Sequence, residues 1–150
     1  MAKNLNTPYE TDVILWSQEQ ARALRERDFS RLDIEHLADE IEDVGKSEKR
    51  ELASRMAVLL AHLLKWRSQP ERRSQSWRNT INLQRKRIAL LIKATPSLEV
   101  VLSEPDWREA MWLDAIMQAS RETGLDEGAF PEARPWNLNE TLAADFWPDA

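Results

Sequence analysis

The 150-residue sequence contains no cysteine and only three glycines. A chain without cysteine has no disulfide bond, no thiolate metal ligand and no cysteine nucleophile. With so little glycine, it also lacks a glycine-rich phosphate-binding loop. The sequence shows no recognisable nucleophile motif and no full set of metal ligands. We therefore expect no cofactor and no metal, and we favour a protein that is not an enzyme.

Long hydrophobic runs are also absent. The longest strongly apolar runs are "MAVLLAHLL" and "IALLI", far shorter than the about 20 residues that a membrane-spanning helix needs. No apolar segment follows a basic start, so the sequence predicts no signal peptide. We therefore expect a cytoplasmic protein without a membrane partner.

Positive charge is concentrated in one central segment of an acidic chain, whose net charge is −5. Residues 65–93 contain nine Lys or Arg and one Glu, which gives a net charge of +8. Residues 1–64 carry a net charge of −4, and residues 94–150 carry −9. A nucleic acid is the obvious partner for the central segment, and the acidic remainder of the same chain is the alternative.

Apolar residues recur at helical spacing along almost the whole chain, and no alternating strand pattern competes with them. The longest stripe begins at Ile34 and continues in step past Gly45 to Leu63. This stripe predicts one long helix over about residues 34–67, with Asp33 as its N-cap.

Other helices are predicted on both sides of the long one. The first is capped by Thr7 and begins at Pro8, and its inward face carries Val13, Trp16 and Leu24. After the long helix, the sequence predicts a helix from Pro70 or Glu71 to about Lys93, whose inward residues are Trp77, Ile81, Ile88 and Leu91. A short helix follows between Pro96 and Pro105. The next helix ends before Gly124, with Trp107, Ala110, Leu113 or Asp114, and Met117 inward, and a last short helix covers residues 138–145.

These elements predict an all-α fold, a single domain over residues 1–150 built as a bundle of about five or six helices. Trp112 lies off the predicted inward face of its helix, so we expect it at a subunit contact or under the C-terminal segment. That segment should pack onto the bundle because it is rich in large aromatic residues, namely Phe130, Trp136, Phe146 and Trp147.

Three blocks of the sequence resemble a known family. They are "YETDVILWSQEQARALRERDFSRLDIEHLADEIEDVGKSEKRELASRMAVLLAHLLKW", "PERRSQSWRNTINLQRKRI" and the closing "ETGL…FPEARPWNLNETLAADFWP". In this order they are similar to the bacterial domain-of-unknown-function family 29, over almost the whole chain. The resemblance implies a small helical bacterial protein. It implies no activity and no catalytic residue.

The basic segment contains the first candidate site. Its cations could neutralise phosphates, but Trp77 shares an apolar stripe with Ile81 and is better explained as core than as a base-stacking platform. We therefore favour a role in the fold and in protein contacts, and we expect Arg72, Arg73 or Arg78 to bind carboxylates of residues 33–51 or 99–149. The candidate residues for a protein or nucleic-acid partner are Arg72, Arg73, Arg78, Arg85, Lys86 and Arg87.

His62 is the second candidate, because it lies in the apolar run "LLAHLLKW". A buried imidazole needs a hydrogen-bond partner, and we predict a polar group from another segment. A core histidine is the favoured interpretation. The alternative is an enzyme in which His62 acts with the carboxylate cluster at residues 35–43, through Glu40 or Glu42.

Three classes of function remain open from the sequence. The favoured hypothesis is a non-enzymatic protein-interaction module that self-associates. The alternatives are nucleic-acid binding through residues 65–93 and an enzyme that uses His62. Surface geometry separates them, because an exposed apolar patch favours the first, an exposed cationic stripe the second and a concave pocket containing His62 and a carboxylate the third.

Overall fold

A computed structural model describes residues 6–149, which are 73 % helical and contain no strand. This confirms the predicted all-α class. Contacts group the described residues into two compact units, which divide between Ser47 and Glu48. The assignment of one domain to residues 1–150 stays a prediction. The α-helices of the described chain are α1 Val13–Arg25, α2 Ile34–Ser68, α3 Gln75–Ala94, α4 Leu98–Val101, α5 Pro105–Thr123 and α6 Leu138–Leu142.

Helix α1 begins later than the sequence predicted. Its N-cap is Asp12, whose side chain accepts a hydrogen bond from the Leu15 amide at 3.0 Å. A carboxylate cap of this kind satisfies one of the free amides of the first turn. The Thr7 cap was therefore wrong, and Thr7 instead donates through its amide and its hydroxyl to the Glu19 carboxylate.

The inward face of α1 is also different from the predicted one. Trp16 is buried as predicted, whereas Val13 and Leu24 are exposed. The buried face includes Gln20, whose amide donates to the Arg31 carbonyl at 3.1 Å and accepts from the Asp33 amide at 2.7 Å. A polar side chain takes the core position because it satisfies buried backbone groups of the following turn.

Helix α2 runs without interruption through Gly45, which confirms the long predicted helix. Asp33 caps it, since its Oδ1 accepts from the His36 amide at 3.4 Å. Leu59 and Leu63 are fully buried, as predicted.

In the second unit, α3 begins at Gln75 because the Ser74 hydroxyl caps it by accepting from the Trp77 amide at 3.2 Å. Pro70–Arg72 forms a separate 3₁₀ turn, so the predicted start at Pro70 or Glu71 was wrong. Helix α5 has Pro105 at its first position and ends before Gly124, which adopts a left-handed φ of 75°. Both ends agree with the sequence pattern.

The buried face of α5 was predicted incorrectly. Leu113 and Met117 are exposed, and the core side of the helix is formed by Met111, Trp112 and Ala115. Trp112 lies under the C-terminal segment, because its Nε1 donates to the Glu132 carbonyl at 3.0 Å. One of the two places expected for Trp112 is thereby confirmed.

The C-terminal segment packs onto the helices, as its aromatic residues predicted. Phe130 and Leu138 are buried in the core, and Trp136, Phe146 and Trp147 pack against it. Helix α6 covers only Leu138–Leu142, which is shorter than the predicted 138–145. Ala143 is extended, with ψ of 134°, and this conformation ends the helix.

Gly45 offers a test of the continuous helix. A Cβ at this exposed helical position meets nothing within 4 Å, and alanine in a helix interior is about 0.5–1 kcal/mol more favourable than glycine. We predict that Gly45→Ala raises the free energy of unfolding by about that amount, measured by urea denaturation.

The matched control is Gly124→Ala. Its backbone φ of 75° strains any residue with a Cβ, so this variant should lower the free energy of unfolding. A Gly45→Ala variant that is less stable than the parent protein would contradict a continuous α2.

Candidate functional site

Arg85 holds the C-terminal segment onto α3. The residue is 6 % exposed, and its guanidinium donates to three backbone carbonyls: Thr141 at 2.9 Å, Ala144 at 3.4 Å and Phe146 at 2.5 Å. Burial lowers the pKa of Arg85, and the charge of Asp145 partly opposes this shift. Five fixed N–H donors make a guanidinium suited to binding several carbonyls at once.

Two further arginines pack on the tryptophans at the same place. The Arg73 guanidinium lies 4.8 Å from the Trp66 ring and donates from Nε to the Trp66 carbonyl at 2.8 Å. Arg78 lies 5.1 Å from the Trp66 ring and 4.9 Å from the Trp147 ring. The two indole centroids are 4.7 Å apart. Such cation–π contacts contribute about 0.5–2 kcal/mol each.

The prediction that Arg72, Arg73 or Arg78 would bind carboxylates was wrong. Within residues 6–149, no carboxylate forms an ion pair with Arg72, Arg73 or Arg78. The C-terminal segment meets the basic segment with carbonyls and indole faces, which satisfy a guanidinium without a second buried charge. In the basic segment the ion pair is formed by Lys65 instead, whose Nζ lies 3.5 Å from the Glu122 carboxylate.

The remaining cations of α3 point outwards. Lys86 and Arg87 are exposed, and two leucines lie with them: Leu83 is 48 % exposed and Leu90 is 64 % exposed. The sequence analysis missed these leucines, although their spacing of seven residues matches that of the buried Ile81 and Ile88 on the opposite side of the helix. We call the exposed set the outer face of α3; it consists of Leu83, Lys86, Arg87, Leu90 and Lys93.

Helix α2 leaves part of its apolar stripe exposed. Ile34 is 63 % exposed, Ile41 is 71 % exposed and Val44 is 66 % exposed, and Leu37 between them is half-buried. We call these four residues the open stripe. Further along the same stripe, Leu52, Met56, Leu59 and Leu63 are completely buried. The apolar stripe is therefore covered by other residues in the later part of the helix and exposed to solvent in the earlier part.

Within unit 1, the residues before α2 pack on a different side of this helix from the open stripe. Tyr9 stacks on the His36 ring at 4.3 Å between centroids and donates to the Glu40 carboxylate at 2.5 Å. The Asp33 carboxylate lies 2.7 Å from His36 Nδ1 and accepts from Trp16 Nε1 at 3.0 Å. A polar and aromatic cluster thus anchors α1 and the Tyr9 turn, and the open stripe takes no part in it.

His62 is buried as predicted, but its partner is not on another segment. Its Nδ1 donates to the Val58 carbonyl one turn back, at 2.9 Å. An i−4 carbonyl is within reach of any helical histidine, so the ring needs no distant group. Burial lowers the pKa of His62, and the nearby Lys65 charge lowers it further.

The three catalytic candidates have different surroundings. Glu40 accepts a hydrogen bond from Tyr9, whereas Glu42 is exposed. His62 is buried and hydrogen-bonded to the Val58 carbonyl. A catalytic role for these residues stays a prediction.

Across residues 6–149, no group of three or more His, Asp or Glu side chains is arranged to hold a metal ion. In the same part of the chain, no helix is long and apolar enough to cross a membrane.

The two histidines give opposite pH dependences of stability. The hydrogen bond that His36 donates to Asp33, together with the charges of Asp33 and Glu10, raises the pKa of His36 above 6.5 despite partial desolvation. Its contribution is complete below pH 6.5 and is lost as the pH rises through the folded-state pKa. The pKa of His62 is lowered, so its contribution is complete above pH 6.5 and is lost as the pH falls.

We predict opposite trends for two substitutions between about pH 5 and pH 8. The stability lost in His36→Gln should be largest at the acidic end, and the loss in His62→Gln should be largest at the alkaline end. Denaturant unfolding of the parent protein and both variants at several pH values measures this. Parallel trends in the two variants would contradict the assigned environments.

Comparison with known proteins gives one family and no closer relative. The family model described as Domain of unknown function DUF29 matches residues 8–147. Comparison with curated proteins and with solved structures gives no match. The match covers nearly the whole chain and confirms the resemblance carried by the three sequence blocks, so this protein belongs to the DUF29 family.

Proposed function

We propose that this protein is a non-enzymatic interaction module that self-associates through the open stripe of α2. One observation supports the proposal above the others: a single helical stripe is fully buried at Leu52 and Leu59 but more than 60 % exposed at Ile34 and Ile41. Exposed apolar residues that are grouped on one face are typical of protein-interaction sites, whereas scattered ones are ordinary. On its sequence features we also propose a bacterial protein of the cytoplasm.

The magnitude of burial limits how such a contact works. Covering the exposed parts of Ile34, Ile41 and Val44 contributes about 1–2 kcal/mol for each side chain. Association of two molecules costs about 4–15 kcal/mol in lost freedom of motion and ordering. The open stripe alone is therefore insufficient for a stable complex, and its partner must add further contacts.

Nucleic-acid binding is the second candidate, and one observation favours it. Arg72, Arg78, Lys86 and Arg87 are exposed, so four of the six candidate cations can reach phosphates. Arg78 also packs on two tryptophan rings, and Arg73 and Arg85 bind backbone carbonyls within the fold. Four cations on a chain of net charge −5 form a weaker electrostatic surface than nucleic-acid-binding domains usually present.

Sedimentation velocity of the purified protein over a range of concentrations tests self-association. We expect the parent protein to associate with increasing concentration, and Ile41→Asp to weaken this association by 10-fold or more, which corresponds to about 1.4 kcal/mol. The reason is that a carboxylate at the centre of the open stripe would be desolvated on docking.

The matched control is Leu113→Asp. Leu113 is an exposed apolar residue of α5, 56 % accessible to solvent, and lies outside the open stripe. This variant should associate as the parent protein does. A parent protein that stays monomeric at all concentrations would overturn the proposed function. Equal losses in both variants would overturn the assignment to the open stripe.

A further inference from the structure

We infer that the open stripe of one molecule docks on the outer face of α3 of a second copy. This inference rests on the proposed self-association and names the two surfaces that meet. Both surfaces are exposed in the isolated chain, with Ile41 at 71 % and Leu90 at 64 %. Both surfaces are therefore open to another molecule, and their charge and spacing indicate that this molecule is a second copy of the chain.

Charge favours this pairing over the symmetrical one. Residues 34–47 contain five carboxylates and one lysine, a net charge of −4, whereas the outer face of α3 contains three Lys or Arg and no acid, a net charge of +3. Stripe against stripe would bring two acidic segments together, and outer face against outer face would bring two basic ones together. Stripe against outer face joins opposite charges, which favours association and its register.

The charges that flank the two surfaces remain without partners in the described chain. Among residues 6–149, neither Lys86 nor Arg87 forms an ion pair, and the same holds for Glu35 and Glu42 beside the open stripe. These side chains are free to meet across an interface. Such rim pairs contribute little affinity individually, but they select the partner and its orientation.

The apolar residues of the two surfaces have the same spacing. Ile34 and Ile41 are seven residues apart, and so are Leu83 and Leu90. Seven residues span about 10.5 Å of helix and return to nearly the same face. The two pairs can therefore lie side by side, with each leucine packed between apolar residues of the open stripe, as in a short length of helix–helix packing.

The contact is heterologous, because it joins two different surfaces and every copy carries both. Such contacts either close into a symmetric assembly or extend into a chain of molecules. In a closed assembly each copy takes part in two contacts, once through its open stripe and once through its outer face. Each contact also buries Leu83 and Leu90 of the outer face, and these leucines supply the burial that the open stripe alone lacks.

A complementation experiment tests the pairing directly. Ile41→Asp destroys the open stripe and leaves the outer face of α3 intact, whereas Leu90→Asp does the reverse. Both positions are exposed in the chain, and unchanged circular dichroism melting curves would verify that both variants fold. We expect each variant alone to be monomeric in sedimentation velocity at a concentration at which the parent protein associates. An equimolar mixture should form a heterodimer through the one intact pair of surfaces.

The outcomes separate this inference from the proposed function. A parent protein that never associates would overturn both. Association of Leu90→Asp alone, as strong as that of the parent protein, would mean that two open stripes meet and would overturn the inference only. Failure of the mixture to associate would also overturn it.

A charge-reversed variant tests whether the outer face binds a nucleic acid instead. In that case Lys86→Glu combined with Arg87→Glu would abolish binding of a short duplex and leave self-association unchanged. This result would contradict the inference.

Discussion

Helix α2 continues beyond the core that covers it, and this constraint shapes the proposed function. Its apolar stripe keeps one face over the whole length from Ile34 to Leu63. The core around Leu52 and Leu59 covers only the later part. The earlier part of the stripe stays exposed at Ile34, Ile41 and Val44. In unit 1, the polar cluster of Tyr9, His36 and Asp33 anchors α1 on a different side.

The basic segment has two roles that follow from the two sides of α3. On the inner side, Arg85 binds three carbonyls of the C-terminal segment, and Arg73 and Arg78 pack on Trp66 and Trp147. These contacts hold an otherwise irregular segment in place without a buried carboxylate, whose desolvation would be costly. On the outer side, Lys86 and Arg87 remain available for a partner. An acidic chain thus concentrates its cations where its own C-terminal segment needs donors.

Local patterns predicted much of this fold. The continuous α2, the Pro105 start and Gly124 end of α5, and the packed aromatic tail all followed from spacing, capping and composition. The errors arose where several solutions satisfy the same pattern. On α5, tryptophans and leucines lie on more than one side, so periodicity alone could not decide that Trp112, and not Leu113, faces the core. On α1, Gln20 is buried because it forms hydrogen bonds with backbone groups of Arg31 and Asp33 in the turn after the helix. The apolar spacing within the helix does not reveal such bonds.

The candidate surfaces were less predictable than the fold. Spacing revealed an apolar stripe at Ile34 and Ile41, but only tertiary packing determines whether such a stripe is buried or open. Carboxylates were the expected partners of the arginines because opposite charges attract. Backbone carbonyls and indole rings were not considered, although they bind a guanidinium at a smaller cost in desolvation.

The absence of native cysteine permits a direct measurement of the interface. Ile41→Cys and Leu90→Cys place one thiol at the centre of each surface, and mild oxidation of an equimolar mixture joins thiols that lie close together, since a disulfide requires Cα atoms within about 7 Å. The two-surface account predicts that the covalent dimer joining the two different variants predominates over dimers of either variant alone. Cross-linking of Ile41→Cys to itself as readily as to Leu90→Cys, or no cross-linking above that of a Leu113→Cys control, would contradict it.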